Sequence, residues 1–159
     1  MSITIDQPAV DASGDVDVRG PRFAAWITTA VLIAALVASA VSSTASAVIL
    51  AVQAGVFTLG ALLGPRRHPY GRLYSGVVAP RPGPTTEREP AAPLRFAQAV
   101  GVVFAVAGVV AFAAGAPLAG VIATALALAA AFLNAAFGIC LGCQVYPLFA
   151  RWRHRQVTA

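Results

Sequence analysis

Two long stretches of the chain contain no charged residue, and they determine its predicted architecture. The first runs from Phe23 to Gly64 and the second from Phe96 to Ala150. Because a transmembrane helix needs about 20 mainly apolar residues, each stretch is long enough for two spans. We therefore predict an all-α membrane protein, folded as a four-transmembrane-helix bundle. The predicted spans cover residues 23–42, 46–64, 96–115 and 117–140.

The segments outside the spans predict a tail and a loop. Residues 1–18 contain four Asp and are expected to form a disordered cytoplasmic tail. Residues 19–155 are expected to form one membrane domain. Its cytoplasmic loop, residues 65–95, contains seven Pro, which favour irregular structure, so we do not expect this loop to fold as a domain of its own.

Composition agrees with a membrane protein and argues against one that binds nucleic acid. Only 11% of the residues are charged and the mean hydropathy is +0.78, whereas a soluble domain has about 25% charged residues. The formal net charge is +5, but no separate basic domain exists that would bind a duplex. The expected partner is therefore the lipid bilayer, with no nucleic acid.

The arginines predict the orientation of the bundle. Basic residues near span ends stay on the cytoplasmic side of a membrane, and the short turns within the two hairpins contain none. We therefore predict a multi-pass protein of the cell (inner) membrane with both termini and the central loop in the cytoplasm. The basic residues are Arg19, Arg22, Arg66, Arg67, Arg72, Arg81, Arg88, Arg95, Arg151, Arg153 and Arg155.

Two short sequence matches indicate that the two hairpins are related. Arg22–Ala24 and Arg95–Ala97 both read Arg-Phe-Ala at the start of a hairpin. Gly60–Gly64 and Gly138–Gly142 both begin and end with Gly near the end of a hairpin. Both hairpins run in the same direction across the membrane, so a duplication would be a parallel repeat with its axis along the membrane normal.

Cys140 and Cys143 are the only two cysteines, and they form a Cys-x-x-Cys pair at the end of the last span. This spacing brings both sulfur atoms to one helical face or one turn, close enough for a disulfide or a shared metal. We predict a redox-active pair. The alternative is that both cysteines pack as small buried apolar residues.

The segment after the pair decides which thiol is expected to react first. At the C-terminal end of the last span, the helix dipole disfavours a thiolate at Cys140. Pro147 lacks an N–H group, so we predict a break at Gly142 and a short basic helix, residues 148–155, that starts with Pro147, since proline is favoured at the first helical position. Cys143 would then lie ahead of a helix N-terminus and is predicted to be the more reactive thiol.

His68 and His154 are the two histidines, and both are predicted on the cytoplasmic side. Together with the two cysteines they would complete a Cys₂His₂ zinc set. The spacing is not that of a zinc finger, however, and the ends of the second and fourth spans would have to be neighbours. A histidine beside two arginines is more often a surface residue, so we predict no metal and no cofactor.

Several segments resemble a bacterial integral membrane family catalogued as domain of unknown function 4395. They are residues 19–24, 64–70 and 95–98 and, most specifically, Phe132–Cys143. The resemblance covers about residues 17–150 and implies a small membrane protein of about four spans with a paired-cysteine end. Members of this family are often associated with thioredoxin-like or sulfur-transfer proteins, which implies such a partner but no reaction. A looser likeness is to DoxX-like four-span membrane proteins.

These observations favour a membrane component for thiol redox chemistry or sulfur handling. Cys140 and Cys143 would cycle between dithiol and disulfide by exchange with a cytoplasmic thioredoxin-like or sulfurtransferase protein. The alternative is a non-catalytic membrane subunit or scaffold with structural cysteines, so the sequence leaves open whether the protein is an enzyme. A transporter is less expected, because the spans lack ionisable residues.

Overall fold

The computed structural model describes residues 15–64, 67–78 and 88–157. Four of its helices are long and apolar enough to cross a membrane, so the chain is a multi-pass membrane protein with a four-helix bundle. The prediction of the fold class is confirmed. The four spanning helices are α1 (Arg19–Ser39), α2 (Ser43–Leu63), α4 (Ala91–Ala113) and α5 (Pro117–Phe137).

The helix ends differ from the predicted ones by a few residues. α1 and α4 begin about one turn before Phe23 and Phe96, the first residues of the two charge-free stretches. The helical backbone continues past the arginines that border these stretches. In the first hairpin turn, the side chain of Ser42 accepts a hydrogen bond from the Ala45 N–H group at 3.2 Å, which caps α2. In the second turn, Pro117 occupies the first position of α5, where its missing N–H group has no cost.

The four spans form a square in which each helix contacts two neighbours. α1 packs along α2 and α5, and α4 packs along the same two helices. Leu32, Leu50 and Phe112 are central to the buried core. Ser46 is also fully buried, and its hydroxyl donates a hydrogen bond of 2.8 Å to the Ala35 carbonyl. This bond ties α2 to α1 within the apolar interior, where polar groups need partners.

Small residues allow the helices to approach closely. A Cβ atom at Gly108 would lie 2.8 Å from a methyl group of Leu50, and one at Gly120 would lie 2.8 Å from the Phe112 ring. Both glycines therefore provide the space into which a large core side chain fits. Close packing of this kind is the main attraction between helices in a lipid environment.

The packing is consistent with two related hairpins. Arg95, at the start of the second hairpin, donates hydrogen bonds of 2.8 Å to the carbonyls of Ala61 and Leu62 at the end of α2. At the equivalent place, the guanidinium of Arg22 lies beside Gly138 at the end of α5. In this arrangement Gly138 corresponds to Gly64, the residue that ends α2. The sequence match had paired Gly138 with Gly60 instead.

Shorter elements cover the end of the bundle that carries the arginines, which we call the basic end. β1 (Asp15–Asp17) pairs antiparallel with β2 (Arg88–Pro90), so the last residues of the predicted tail form a strand. α3 (Pro69–Leu73) continues into a π-helical turn, Tyr74–Val78. α6 (Leu141–Val157) follows α5. The part of the predicted tail before residue 15 lies outside the described residues.

Candidate functional site

The cysteine pair lies at a junction between two helices. α5 ends at Phe137 because Gly138 adopts φ +69°, a left-handed conformation that favours glycine. The N–H group of Ile139 then donates to the Leu133 carbonyl at 3.2 Å, the bond typical of a Schellman helix end. Two residues later, α6 begins at Leu141. The chain thus changes direction immediately before Cys140.

Cys140 caps the new helix. Its carbonyl accepts a hydrogen bond of 3.1 Å from the Gln144 N–H group, which is the first helical bond of α6. Its sulfur atom accepts a hydrogen bond of 3.3 Å from the Cys143 N–H group. An N-cap side chain normally makes this second contact with an oxygen atom. The sulfur atom of Cys140 therefore occupies the N-cap position, and Cys143 lies in the first turn.

This geometry corrects two predictions about the segment. The break lies at Gly138 and not at Gly142, and Pro147 lies inside α6 and not at its first position. Inside the helix, Pro147 lacks the N–H group that would donate to the Cys143 carbonyl. The prediction of Cys143 as the more reactive thiol assumed that the new helix starts after Cys143. The structure removes this assumption, because Cys140 caps the N-terminus of a 17-residue helix that already includes Cys143.

The start of α6 is held tightly against α4. A Cβ atom at Gly142 would lie 2.7 Å from both the Cα and the Cβ atoms of Ala97, so no larger residue fits without movement of the backbone. Next to this contact, the ring of Phe96 packs against Tyr146 and Phe149, with ring centroids 5.8 and 5.2 Å apart. These contacts fix the position of the cysteine pair relative to the bundle.

Cys140 and Cys143 form a disulfide with Cα atoms 5.2 Å apart, a separation within the normal range for disulfides. Both residues are only half-buried. The described residues include no free cysteine. A disulfide that closes so short a loop constrains the unfolded chain little, so stability is a weak reason for its presence.

A second polar cluster lies between α2, α3 and α4, and the sequence did not predict it. His68 is only 4% exposed, which corrects the prediction of a surface histidine. Its ring and the amide of Gln98 lie so near Gly60 that a Cβ atom there would meet both within 3.0 Å. Nearby, the Tyr70 hydroxyl donates a hydrogen bond of 3.0 Å to Gln53, a fully buried residue of α2. This cluster anchors α3 in the bundle.

Three buried polar atoms of this cluster have no hydrogen-bond partner among the described residues. Nε2 of His68, Nε2 of Gln53 and Oε1 of Gln98 make no hydrogen bond there. Burial lowers the pKa of His68 to about 4, so the imidazole is neutral at neutral pH. A sequence signal that could have found this cluster is the presence of Gln53 and Gln98 within charge-free segments, since buried amides need partners.

The zinc alternative finds no support in the described part of the chain. No three His, Cys, Asp or Glu side chains come together there in a metal-binding arrangement. His68 packs against Gly60 and Tyr70, and the sulfurs of the cysteine pair are joined to each other. The side chain of His154 lies outside the described residues.

We expect the buried histidine to make the bundle less stable in acid. Below the usual histidine pKa of 6.5, unfolded chains bind a proton at His68, whereas the folded protein binds it only near its pKa of about 4. The free energy of unfolding therefore falls as the pH drops from 6.5 towards 4, by an amount on the order of 2 kcal/mol. Thermal unfolding of the protein in detergent micelles across this pH range measures the effect.

A His68→Gln variant provides the control for this pH dependence. Glutamine retains a polar side chain but does not titrate, so the slope of stability against pH should become flatter. His154, the other histidine, is retained in both proteins. An unchanged slope in the variant would show that His68 is not the group that is buried in its neutral form.

Comparison with known proteins gives one match. The family described as Domain of unknown function (DUF4395) matches residues 16–151, a segment that includes all four spans, His68 and both cysteines. This finding confirms the resemblance predicted from the sequence. No curated protein and no solved structure matches the chain. The looser likeness to DoxX-like proteins is not shown by these comparisons.

Proposed function

The chain belongs to the family described as Domain of unknown function (DUF4395), and we propose that it is a membrane-bound component for thiol redox chemistry or sulfur handling. The observation that carries this proposal is the position of Cys140. Its sulfur caps the N-terminus of α6 and accepts the Cys143 N–H group. A helix N-terminus stabilises a thiolate, which is the nucleophilic form of cysteine.

The proposed reaction is an exchange with a soluble thioredoxin-like or sulfurtransferase protein. In the reduced chain, the Cys140 thiolate attacks a sulfur of the partner's disulfide, and one partner thiolate leaves. The resulting mixed disulfide is resolved when the Cys143 thiolate attacks the Cys140 sulfur. The partner leaves as a dithiol, and the chain retains the Cys140–Cys143 disulfide. Two electrons have then passed to the partner, and the same steps in reverse reduce the chain.

The surroundings of the pair support this role. Both cysteines are half-buried, so a protein in the aqueous phase can approach them at the basic end. Gly142 and Ala97 hold the start of α6 against α4, which keeps the two sulfurs near each other during exchange. The four spans keep the site at the membrane, where the lipid bilayer is the expected environment of the protein.

We further propose that the basic end faces the cytoplasm of the cell (inner) membrane. The starts of α1 and α4 and the ends of α2 and α5 lie at this end, and the arginines cluster near them. The turns at the opposite end carry none, as the positive-inside rule requires. A soluble cytoplasmic protein would then reach the cysteine pair.

Reporter fusions test this orientation. An enzyme that is active only in the periplasm should be inactive when it is fused after Ala159 and active when it is inserted at Ser43, the first residue of α2 after the turn of the first hairpin. A reporter that requires the cytoplasm should give the opposite pattern. Periplasmic activity at Ala159 would place the cysteine pair outside the cytoplasm and exclude a cytoplasmic partner.

Redox titration of native membranes tests whether the pair is active or structural. We expect a reversible two-electron transition between the dithiol and the disulfide, detected by a mass-tagged alkylating reagent. The alternative function is a non-catalytic subunit or scaffold, in which the cysteines only pack. That alternative predicts that neither thiol reacts with a small membrane-permeant alkylating reagent until the reduced protein is denatured.

A further inference from the structure

The outer face of α6 carries an apolar stripe that no other described element covers. Leu141, Val145, Leu148 and Trp152 follow one another at helical spacing and share one face. All four are exposed, Leu148 by 70% and Trp152 by 59%. α6 contacts the bundle through a different face, which includes Gly142 and Tyr146. The stripe is therefore available to another apolar phase.

The position of α6 indicates which phase this is. α6 is not one of the helices that are apolar enough to cross a membrane, yet it begins four residues after the end of a spanning helix. Phe137, the last residue of α5, and Ile139, in the connection to α6, are exposed as well. The apolar surface thus continues from the lipid-facing side of the bundle to the stripe.

The charge of the segment complements an anionic surface. α6 contains Arg151, Arg153 and Arg155, and the sequence has no acidic residue after Glu89. The side chain of Arg151 is exposed beside Trp152 in the sequence. An amphipathic helix with an apolar face and arginines in its C-terminal half is suited to the boundary between headgroups and acyl chains of anionic lipids.

We infer that α6 is an interfacial helix, which lies along the membrane surface with its apolar stripe in the lipid and Arg151 on anionic headgroups. The partner for this surface is lipid and not a second protein. One consequence is that the lipid surface supports the helix that Cys140 caps and whose first turn contains Cys143.

Fluorescence of Trp152 tests this inference in the full-length protein. Trp26 is the only other tryptophan, so a Trp26→Phe background makes Trp152 the sole reporter. The protein is reconstituted into phosphatidylcholine vesicles whose acyl chains carry bromine either near the headgroup or near the chain end. Bromine near the headgroup should quench Trp152 at least about twofold more strongly, because interfacial helices enter the membrane only to a shallow depth.

The anionic component is tested with a second lipid mixture. Half of the phosphatidylcholine is replaced by phosphatidylglycerol with the same brominated acyl chains, so that the bromine content stays constant. Quenching by the shallow bromine should then increase, and Arg151→Gln should reduce that increase. Leu148→Ser should weaken quenching in both mixtures. Val41→Ser is the matched control, because Val41 is also highly exposed but lies in the turn at the opposite end, and quenching of Trp152 should not change.

Three results would overturn the inference. Quenching by aqueous iodide and not by brominated lipid would place the stripe in water. Shielding from both quenchers would show that protein covers it, either a second copy of the chain or another part of this one. If phosphatidylglycerol does not change the quenching by shallow bromine, α6 does not bind anionic headgroups, and this part of the inference is wrong.

Discussion

A Gly142→Ala substitution is expected to lower the free energy of unfolding by about 1–3 kcal/mol, the usual cost of excess volume in a packed interface. The added Cβ atom would lie 2.7 Å from the Cα and Cβ atoms of Ala97. Because one of these is a backbone atom of α4, the conflict is relieved only when α6 moves away from α4. Thermal unfolding in detergent, compared with the unchanged protein, measures this loss.

Gly55→Ala is the matched control for this prediction. Gly55 also lies in a helix, but a Cβ atom there would meet nothing within 4 Å. Alanine favours the helical conformation over glycine by about 1 kcal/mol, so the control variant should be as stable as the unchanged protein or slightly more stable. Equal stability of the two variants would contradict the close contact between α4 and α6.

The second large effect concerns the two single cysteines. In the reduced protein we expect the thiol that remains in Cys143→Ser to be alkylated about three to ten times faster at neutral pH than the one that remains in Cys140→Ser. The helix N-terminus increases the thiolate fraction of Cys140. Part of this gain is offset, because a more stable thiolate is a weaker nucleophile.

This comparison also separates the two readings of the Cys-x-x-Cys segment. A break at Gly142 would have made Cys143 the faster thiol, whereas the observed break at Gly138 favours Cys140. The rates are measured with a small membrane-permeant alkylating reagent, so that differences in access from the aqueous phase contribute little. A faster reaction at Cys143 would show that the cap geometry does not control the reactivity.

The four spans could be predicted from the sequence, because only the spans are long and free of charge. Their ends could not be predicted as well. α4 begins at Ala91, five residues before Phe96, because its first turn places Leu94 in the buried core on the far side of Arg95, the charge that ended the predicted span. The end of α5 was placed too late for a different reason. The sequence does not distinguish Gly138 from Gly142. In the structure, Gly138 adopts a positive φ and ends α5, whereas Gly142 allows close contact with Ala97.

The cysteine pair was located from the sequence, whereas the buried cluster around His68 was not. Neighbouring Pro and Arg residues made His68 resemble an exposed loop residue. Its burial depends on contacts with Gly60 of α2 and Gln98 of α4, and α4 belongs to the other hairpin. Such contacts arise only when the hairpins are placed together. A Gln within a charge-free span, such as Gln53, is a sequence signal for a buried polar partner, but it does not identify that partner as Tyr70.

The most direct test of the central claim is the capture of a mixed disulfide at Cys140. The full-length Cys143→Ser and Cys140→Ser variants are reconstituted, reduced and mixed with a soluble thioredoxin whose single remaining active-site cysteine is activated as a thionitrobenzoate disulfide. We predict a covalent complex with Cys143→Ser that a reductant dissolves, and a yield with Cys140→Ser at least about threefold lower, as expected for the less nucleophilic thiol. Failure of both variants to form the complex, or a higher yield with Cys140→Ser, would contradict the assignment of Cys140 as the exchanging cysteine.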